Sequence, residues 1–230
     1  MKKTLLLAVV AVCSMTANAQ IASGRSTSFF STEKSENPIS FGVRAGINLN
    51  SYNVNNGWDE EFDATVGLRV GVVADIPIFE SLYFEPGLYY ANRSCKYTWS
   101  DDYESIEEKH NPSYLELPLL LQYRYNFSDD WGIRVNFGPY FAYALGGKAK
   151  EEENYNGQHS SSSLKLFSKE NDFTALKRFD FGLMTGIDVA YRQFSLGIGY
   201  QAGLAKINKD WAKNYKFKNS GVYIQLGYNF

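Results

Sequence analysis

The sequence is poor in the residues that soluble catalysts and secreted mini-domains depend on. Among 230 residues there are 2 Cys, 2 His, 3 Met and 6 Pro. Cys13 lies in an apolar stretch near the start, which leaves Cys95 alone in the body of the chain and excludes an internal disulfide framework there. A lipid-anchored cysteine would need a small residue before it, and Cys13 follows Val12. Charge of one sign is lacking too: 23 Lys and Arg face 25 Asp and Glu, with no basic block, so nucleic acid is not an expected partner. Past the first twenty residues, no run approaches the roughly 18–20 apolar residues of a membrane helix. No phosphate-cradling glycine loop or nucleophile elbow occurs, and no cofactor is implied.

What is present begins with an export signal. Lys2 and Lys3 form a charged start, Leu5 to Val12 an apolar core, and Ala17-Asn18-Ala19 a small-x-small cleavage site, so residues 1–19 are expected to be a signal peptide. Residues 20–38 are polar and serine-rich, end at Pro38, and are expected to form a flexible periplasmic leader. From 39 to 230 the composition favours strands: 17 Tyr, 16 Phe and 19 Gly.

Across 39–230 a period-two alternation returns eight times, predicting strands near 39–49, 65–76, 81–92, 114–126, 131–145, 178–191, 193–204 and 220–230. One parity carries Phe41 to Leu49, Val66 to Ala74, Leu82 to Tyr90, Leu115 to Tyr123, Ile133 to Phe141, Phe179 to Val189, Phe194 to Ala202 and Val222 to Phe230, taking every second residue. None of these positions is charged, in a chain that is 21% charged. The other parity holds Arg44, Arg69, Glu85, Glu116, Arg124, Arg134, Asp180 and Asp188, interleaved with glycines.

Alternation alone fits a soluble barrel as well as a membrane one. The export signal and the loop lengths favour the membrane. Short connections near 75–80, 127–130 and 191–193 alternate with long ones at 50–64, 93–113, 146–177 and 205–219. The fold class expected is all-β, an eight-stranded antiparallel transmembrane up-and-down β-barrel in the outer membrane, with the long loops outside the cell. Phe79, Tyr125, Phe127, Trp131, Tyr191, Phe194, Tyr228 and Phe230 would form an aromatic girdle at the short-turn rim. Eight strands leave an interior filled by side chains rather than water. The eight charged residues of the second parity are therefore expected to pair inside, with glycines leaving room for the arginines. The pairing serves packing or an ion path. Pro118, in the same strand as Glu116, would cause a local bulge.

The run Tyr114-Leu115-Glu116-Leu117-Pro118-Leu119-Leu120-Leu121, with Arg178-Phe179-Asp180-Phe181-Gly182, resembles the PorT-like outer-membrane β-barrel family, a Bacteroidetes-type outer membrane protein β-barrel domain. The resemblance spans residues 40 to 230. It implies an outer-membrane barrel, mostly of unassigned role; the family's namesake is linked to protein secretion, a role most members are not shown to share, and an accessory role there is kept as an alternative. Ile224, Leu226, Tyr228 and Phe230 look like the terminal signal read by the barrel-assembly machinery.

Chemistry is sparse. His110 and His159 both look like solvated loop residues. Glu151-Glu152-Glu153 with His159 could hold a cation only weakly, and no metal site is expected. Exposed aromatics Trp58, Tyr97, Trp99, Tyr103, Tyr155 and Trp211 would decorate the outer loops. The expected role is non-enzymatic: envelope structure, or contact with an extracellular protein or glycan. Outer-membrane lipid and lipopolysaccharide are the expected surroundings. The alternatives are a rim enzyme acting on lipid A or peptides, and the secretion accessory.

Overall fold

The computed structural model describes residues 35, 37–54, 63–100, 104–155, 158–167, 176–208 and 217–230. The expected signal peptide and nearly all of the leader lie outside the described residues, as do Trp58, Tyr103 and Trp211. Ten strands follow one another: β1 (Ser40–Val54), β2 (Asp63–Pro77), β3 (Leu82–Asn92), β4 (Cys95–Ser100), β5 (Glu104–Asn126), β6 (Trp131–Tyr155), β7 (Gln158–Lys165), β8 (Phe179–Tyr191), β9 (Phe194–Gly203) and β10 (Phe217–Asn229). Eight of them form a closed antiparallel ring in the order β1, β2, β3, β5, β6, β8, β9, β10 and back to β1. The remaining two are additions at one end: β4 pairs with β5 and the start of β2, and β7 pairs with β6.

Every strand of the ring alternates between its two faces. In β10, Val222, Ile224 and Leu226 are exposed while Tyr223 and Gln225 are buried. Leu226 is 64% exposed and Phe137 56%, values that water would penalise in a soluble domain. None of the uncharged-parity positions is buried. Val66, Val70 and Val72 in β2 show why the pattern forms strand: branched side chains suit an outward, half-covered pleat. The short-turn rim carries aromatic contacts, with Trp131 and Tyr191 at 4.7 Å between ring centres and Phe194 and Tyr228 at 5.1 Å. The turn at 192–193 holds Arg192 at φ 52°, secured by its Nε donating to Asp130 Oδ1 of the neighbouring turn at 2.9 Å.

The long connections differ from the expected loops. β5 has 23 residues and β6 has 25, against the about 9–11 that cross a bilayer. Residues 104–113 and 146–155 continue the ladder beyond the apolar band, and 95–100 and 158–165 fold back on it. In that region the outward face is polar and the inward one carries few large apolar residues, so no apolar alternation marks the strands; the ladder is extended by its neighbours rather than by propensity. The bulge is also displaced. Pro118 keeps the register, pairing with Tyr140, whereas the shift falls between Ser113 and Tyr114, where Tyr114 faces Ala144 and Ser113 faces Gly146. Leu145 is thus the extra residue.

Candidate functional site

The ring directs its second parity into a narrow interior. Glu85 accepts from Arg44 Nη2 at 3.2 Å and from Gln122 Nε2 at 2.9 Å. Arg69 Nη1 reaches Glu116 Oε2 at 3.5 Å. Arg93, 1% exposed, donates from Nε to Glu116 Oε1 and from Nη1 to Asp180 Oδ2, both at 2.7 Å. Asp180 Oδ2 also accepts from Tyr140 Oη at 3.1 Å and Asn219 Nδ2 at 2.9 Å. Nearer the short-turn end, Arg124 pairs with Asp75 at 2.6 Å. Asn229 Nδ2 also donates to Asp75, and Asn136 Nδ2 donates to Asp188. Arg134 lies opposite Asp188 in the ladder, and its Nη1 donates to Asn229 Oδ1 at 3.4 Å.

Six of the eight expected charges are thus in ion pairs, whereas Arg134 and Asp188 are held through the amides of Asn229 and Asn136, and two further residues of the inward parity join them. Asp75 continues the inward series Arg69, Gly71, Val73. Arg93 continues Glu85, Gly87, Tyr89, Ala91, one residue past the end of β3. Tyrosine rings of the same parity lie against these arginines. Arg69 lies 3.8 Å from the Tyr89 ring centre and 4.8 Å from Tyr223; Arg93 lies between Tyr114 and Tyr140; Arg124 covers Tyr83 at 3.7 Å. Each such stack is worth about 0.5–2 kcal/mol where water is excluded. The glycines make space for these rings as much as for arginines: a Cβ on Gly71 would sit 2.5 Å from the Tyr89 ring, and one on Gly199 would collide with Tyr223.

A second cluster closes the long-hairpin end, beyond the apolar band. Tyr52, Cys95, Ala149, Leu166, Leu176 and Ile207 are buried together, with Phe167 and Phe217 against them. Backbone bonds from Leu176 N to Leu166 O at 2.9 Å and from Ile207 N to Phe217 O at 3.0 Å hold the crossing segments. His110 is part of this end and is not a solvated loop residue. It lies on β5, 9% exposed, with its ring 5.7 Å from Tyr52 and Nε2 2.6 Å from Glu108 Oε1. That hydrogen bond holds the Glu108 carboxyl below its ordinary range. The even parity of β5 runs inward from Gln122 through Glu116 to His110, a signal obscured by the polar residues around it. His159 is exposed on β7.

Cys95 and His110 face each other in the β4–β5 ladder, which juxtaposes a thiol, an imidazole and a carboxylate. The thiol is 1% exposed and burial pushes its pKa up to about 12. At neutral pH it is a protonated, enclosed side chain, the opposite of an activated nucleophile. Among the described residues no group of His, Cys, Asp and Glu could hold a metal ion. Of the outer aromatics, Tyr97 is half-buried on β4, while Trp99 and Tyr155 lie on β4 and β6 with side chains outside the described set. Ile224, Leu226 and Phe230 are exposed and Tyr228 half-buried, along or just past the strand that closes the ring onto β1.

A closed ring with an apolar exterior and a salt-bridged interior defines an integral outer-membrane β-barrel. Residues 18–209 match the outer membrane protein beta-barrel domain family, and the chain belongs to it. Among curated proteins none matches. Solved structures of similar arrangement include OprG of Pseudomonas aeruginosa (13% identity, 83% of this chain and 95% of that one, TM-score 0.40). Neisserial surface protein A aligns at 12% identity over 84% of this chain and 100% of its own, with TM-score 0.38. Ail, the attachment invasion locus protein of Yersinia pestis, aligns at 11% identity over 83% and 98%, with TM-score 0.35.

Proposed function

We propose that this is a non-conducting, non-enzymatic barrel whose long-hairpin end faces outside the cell and offers a rigid polar sheet to a partner. The observation that carries this reading is the double seal of the interior. Arg93, Glu116 and Asp180 lock across the lumen, and the cluster around Cys95 and Leu166 covers the mouth above them. A pathway for ions or solutes would need water along that line, where Arg93, Tyr114, Glu116, Tyr140 and Asp180 are all buried. On this view the internal charges serve packing, and the ladder built from β4 to β7 holds its surface more rigidly than free loops would. An extracellular protein or glycan is the class of partner such a surface suits.

A secretion accessory is the second reading, because the run Tyr114–Leu121 that resembles PorT-like barrels supplies Tyr114 and Glu116 to the centre of the lumen. Planar-bilayer recording of the reconstituted full-length chain tests the first reading: no current above that of the bare bilayer is expected, and discrete openings would contradict it. In cells lacking the gene, an unchanged lipid A profile and secreted proteome would leave the non-enzymatic reading standing, whereas loss of secreted proteins would favour the second.

A further inference from the structure

On one side of the long-hairpin end lies a groove of about 520 Å3, walled by Lys148, Lys150, Lys165 and Arg178 with Gly147 and Phe167 beneath. Its basic character follows from the bulge. Below Leu145 the outward residues of β6 are Phe141, Tyr143 and Leu145; above it Ala149 turns inward and Lys148 and Lys150 are exposed. One inserted residue therefore moves two lysines onto the face that carries the lipid-facing aromatics, directly above them.

The arrangement is self-repulsive as it stands. Lys148 is directly opposite Lys165, Lys150 is opposite Lys109, and Lys109 is opposite Lys96. Like charges at opposed positions of a ladder destabilise it unless an anion lies between them. Among the described residues, none of Lys148, Lys150, Lys165 and Arg178 has a carboxylate within 4.0 Å. The carboxylates of this face, Glu107 and Glu152, form the next row away from the apolar band, and Lys96 takes Glu107 at 2.7 Å. Positive charge is thus concentrated beside the membrane and negative charge beyond it. Arg178 is fixed at the boundary: its Nη1 donates to Ala144 O at 2.8 Å and Leu145 O at 3.3 Å, and its guanidinium lies 5.2 Å from the Phe167 ring centre. The residue after it, Phe179, is already half exposed to lipid.

We propose that this groove binds the phosphate groups of a phosphorylated glycolipid in the adjoining leaflet, resting on the reading that this end of the barrel faces outside. Lysine ammonium groups and a preset guanidinium suit a dianionic phosphate, and the position at the edge of the apolar band suits a headgroup whose acyl chains lie against Tyr143, Leu145 and Phe179. The phosphate would relieve the opposed lysines while the chains cover apolar surface.

Native mass spectrometry of the full-length chain in detergent micelles tests this with three probes: bis-phosphorylated lipid A, the same lipid with both phosphates removed, and inorganic phosphate. The phosphorylated lipid is expected to bind about tenfold more tightly than the dephosphorylated one, and about tenfold more tightly than it binds Lys148→Gln/Lys165→Gln. Arg192→Gln at the opposite rim is expected to bind like wild type. That double variant keeps Arg178 on the bulge, and its unboiled gel mobility reports whether the barrel has folded; if it has not, the comparison of the two lipids on wild type decides. Equal binding of the two lipids, equal binding by the folded variant, or free phosphate binding as tightly as the lipid would overturn the proposal. Binding in micelles does not depend on which end of the barrel faces outside, and none of these outcomes bears on ion current, so the readings of orientation and of a closed barrel fail or stand separately.

Discussion

Arg93 shows how much depends on one side chain. It joins two carboxylates, Glu116 and Asp180, that are both 0% exposed, and it lies between two tyrosine rings. Removing it leaves Asp180 buried with no cation and Glu116 with only the longer Arg69 contact at 3.5 Å, a change that costs about 3–5 kcal/mol when a buried pair is broken on one side. Arg93→Met is therefore expected to shift the urea midpoint of the refolded barrel strongly downward. Adding Asp180→Asn to the same chain is expected to restore most of it, because Glu116 keeps Arg69 as its cation and the uncompensated charge on Asp180 is gone. Equal midpoints for wild type and the single variant would show that the bridge holds nothing together. Arg93 was readable in principle, since it keeps the inward parity of β3. It is inconspicuous because it stands beyond the last paired residue, next to Ser94, where a turn is the natural expectation. His110 was hidden for a different reason: Glu107, Glu108 and Lys109 beside it read as solvated, although only every second residue of that stretch points to water.

At the scale of the strand, alternation was legible wherever one face meets oil and the other a packed lumen, because the two environments sort residues by charge. Val135 belongs to the oil side, and an arginine there would cost about 2–4 kcal/mol near mid-depth. Ser162 lies exposed on β7 and offers no such penalty. Val135→Arg is accordingly expected to reduce the level of folded barrel in the outer membrane several-fold, with Ser162→Arg close to wild type, as measured by surface protease protection and unboiled mobility. Equal levels would mean that Val135 does not meet lipid. The same logic explains why β4, β7 and the upper halves of β5 and β6 were not legible. Ser160 to Ser163 and Glu151 to Glu153 have low strand propensity, and neither of their faces is apolar. Only the ladder running from β5 through β6 to β7 makes them strands. The bulge at Leu145 was illegible too: it shifts the phase of the alternation in β6, and a reading based on period two ends there.

For the whole molecule, closure is the organising fact. Backbone groups in a bilayer find no partner in the hydrocarbon, so the strands must pair around a complete circle. The β1–β10 seam, continuous from Gly42 opposite Asn229 to Val54 opposite Phe217, completes it. An uncharged exterior and a paired interior then follow from the same condition, as does a lumen narrow enough for tyrosines and arginines to fill. The test that bears most directly on this sorting of faces is a spin-label scan of β10 in reconstituted bilayers. Single labels at Val222, Tyr223, Ile224, Gln225 and Leu226, with both native cysteines replaced by serine, report access to oxygen dissolved in lipid and to a water-soluble nickel reagent. High oxygen access at 222, 224 and 226, with low access to both reagents at 223 and 225, is the expected result; nickel access at 223 and 225 matching that of free water would contradict a sealed interior.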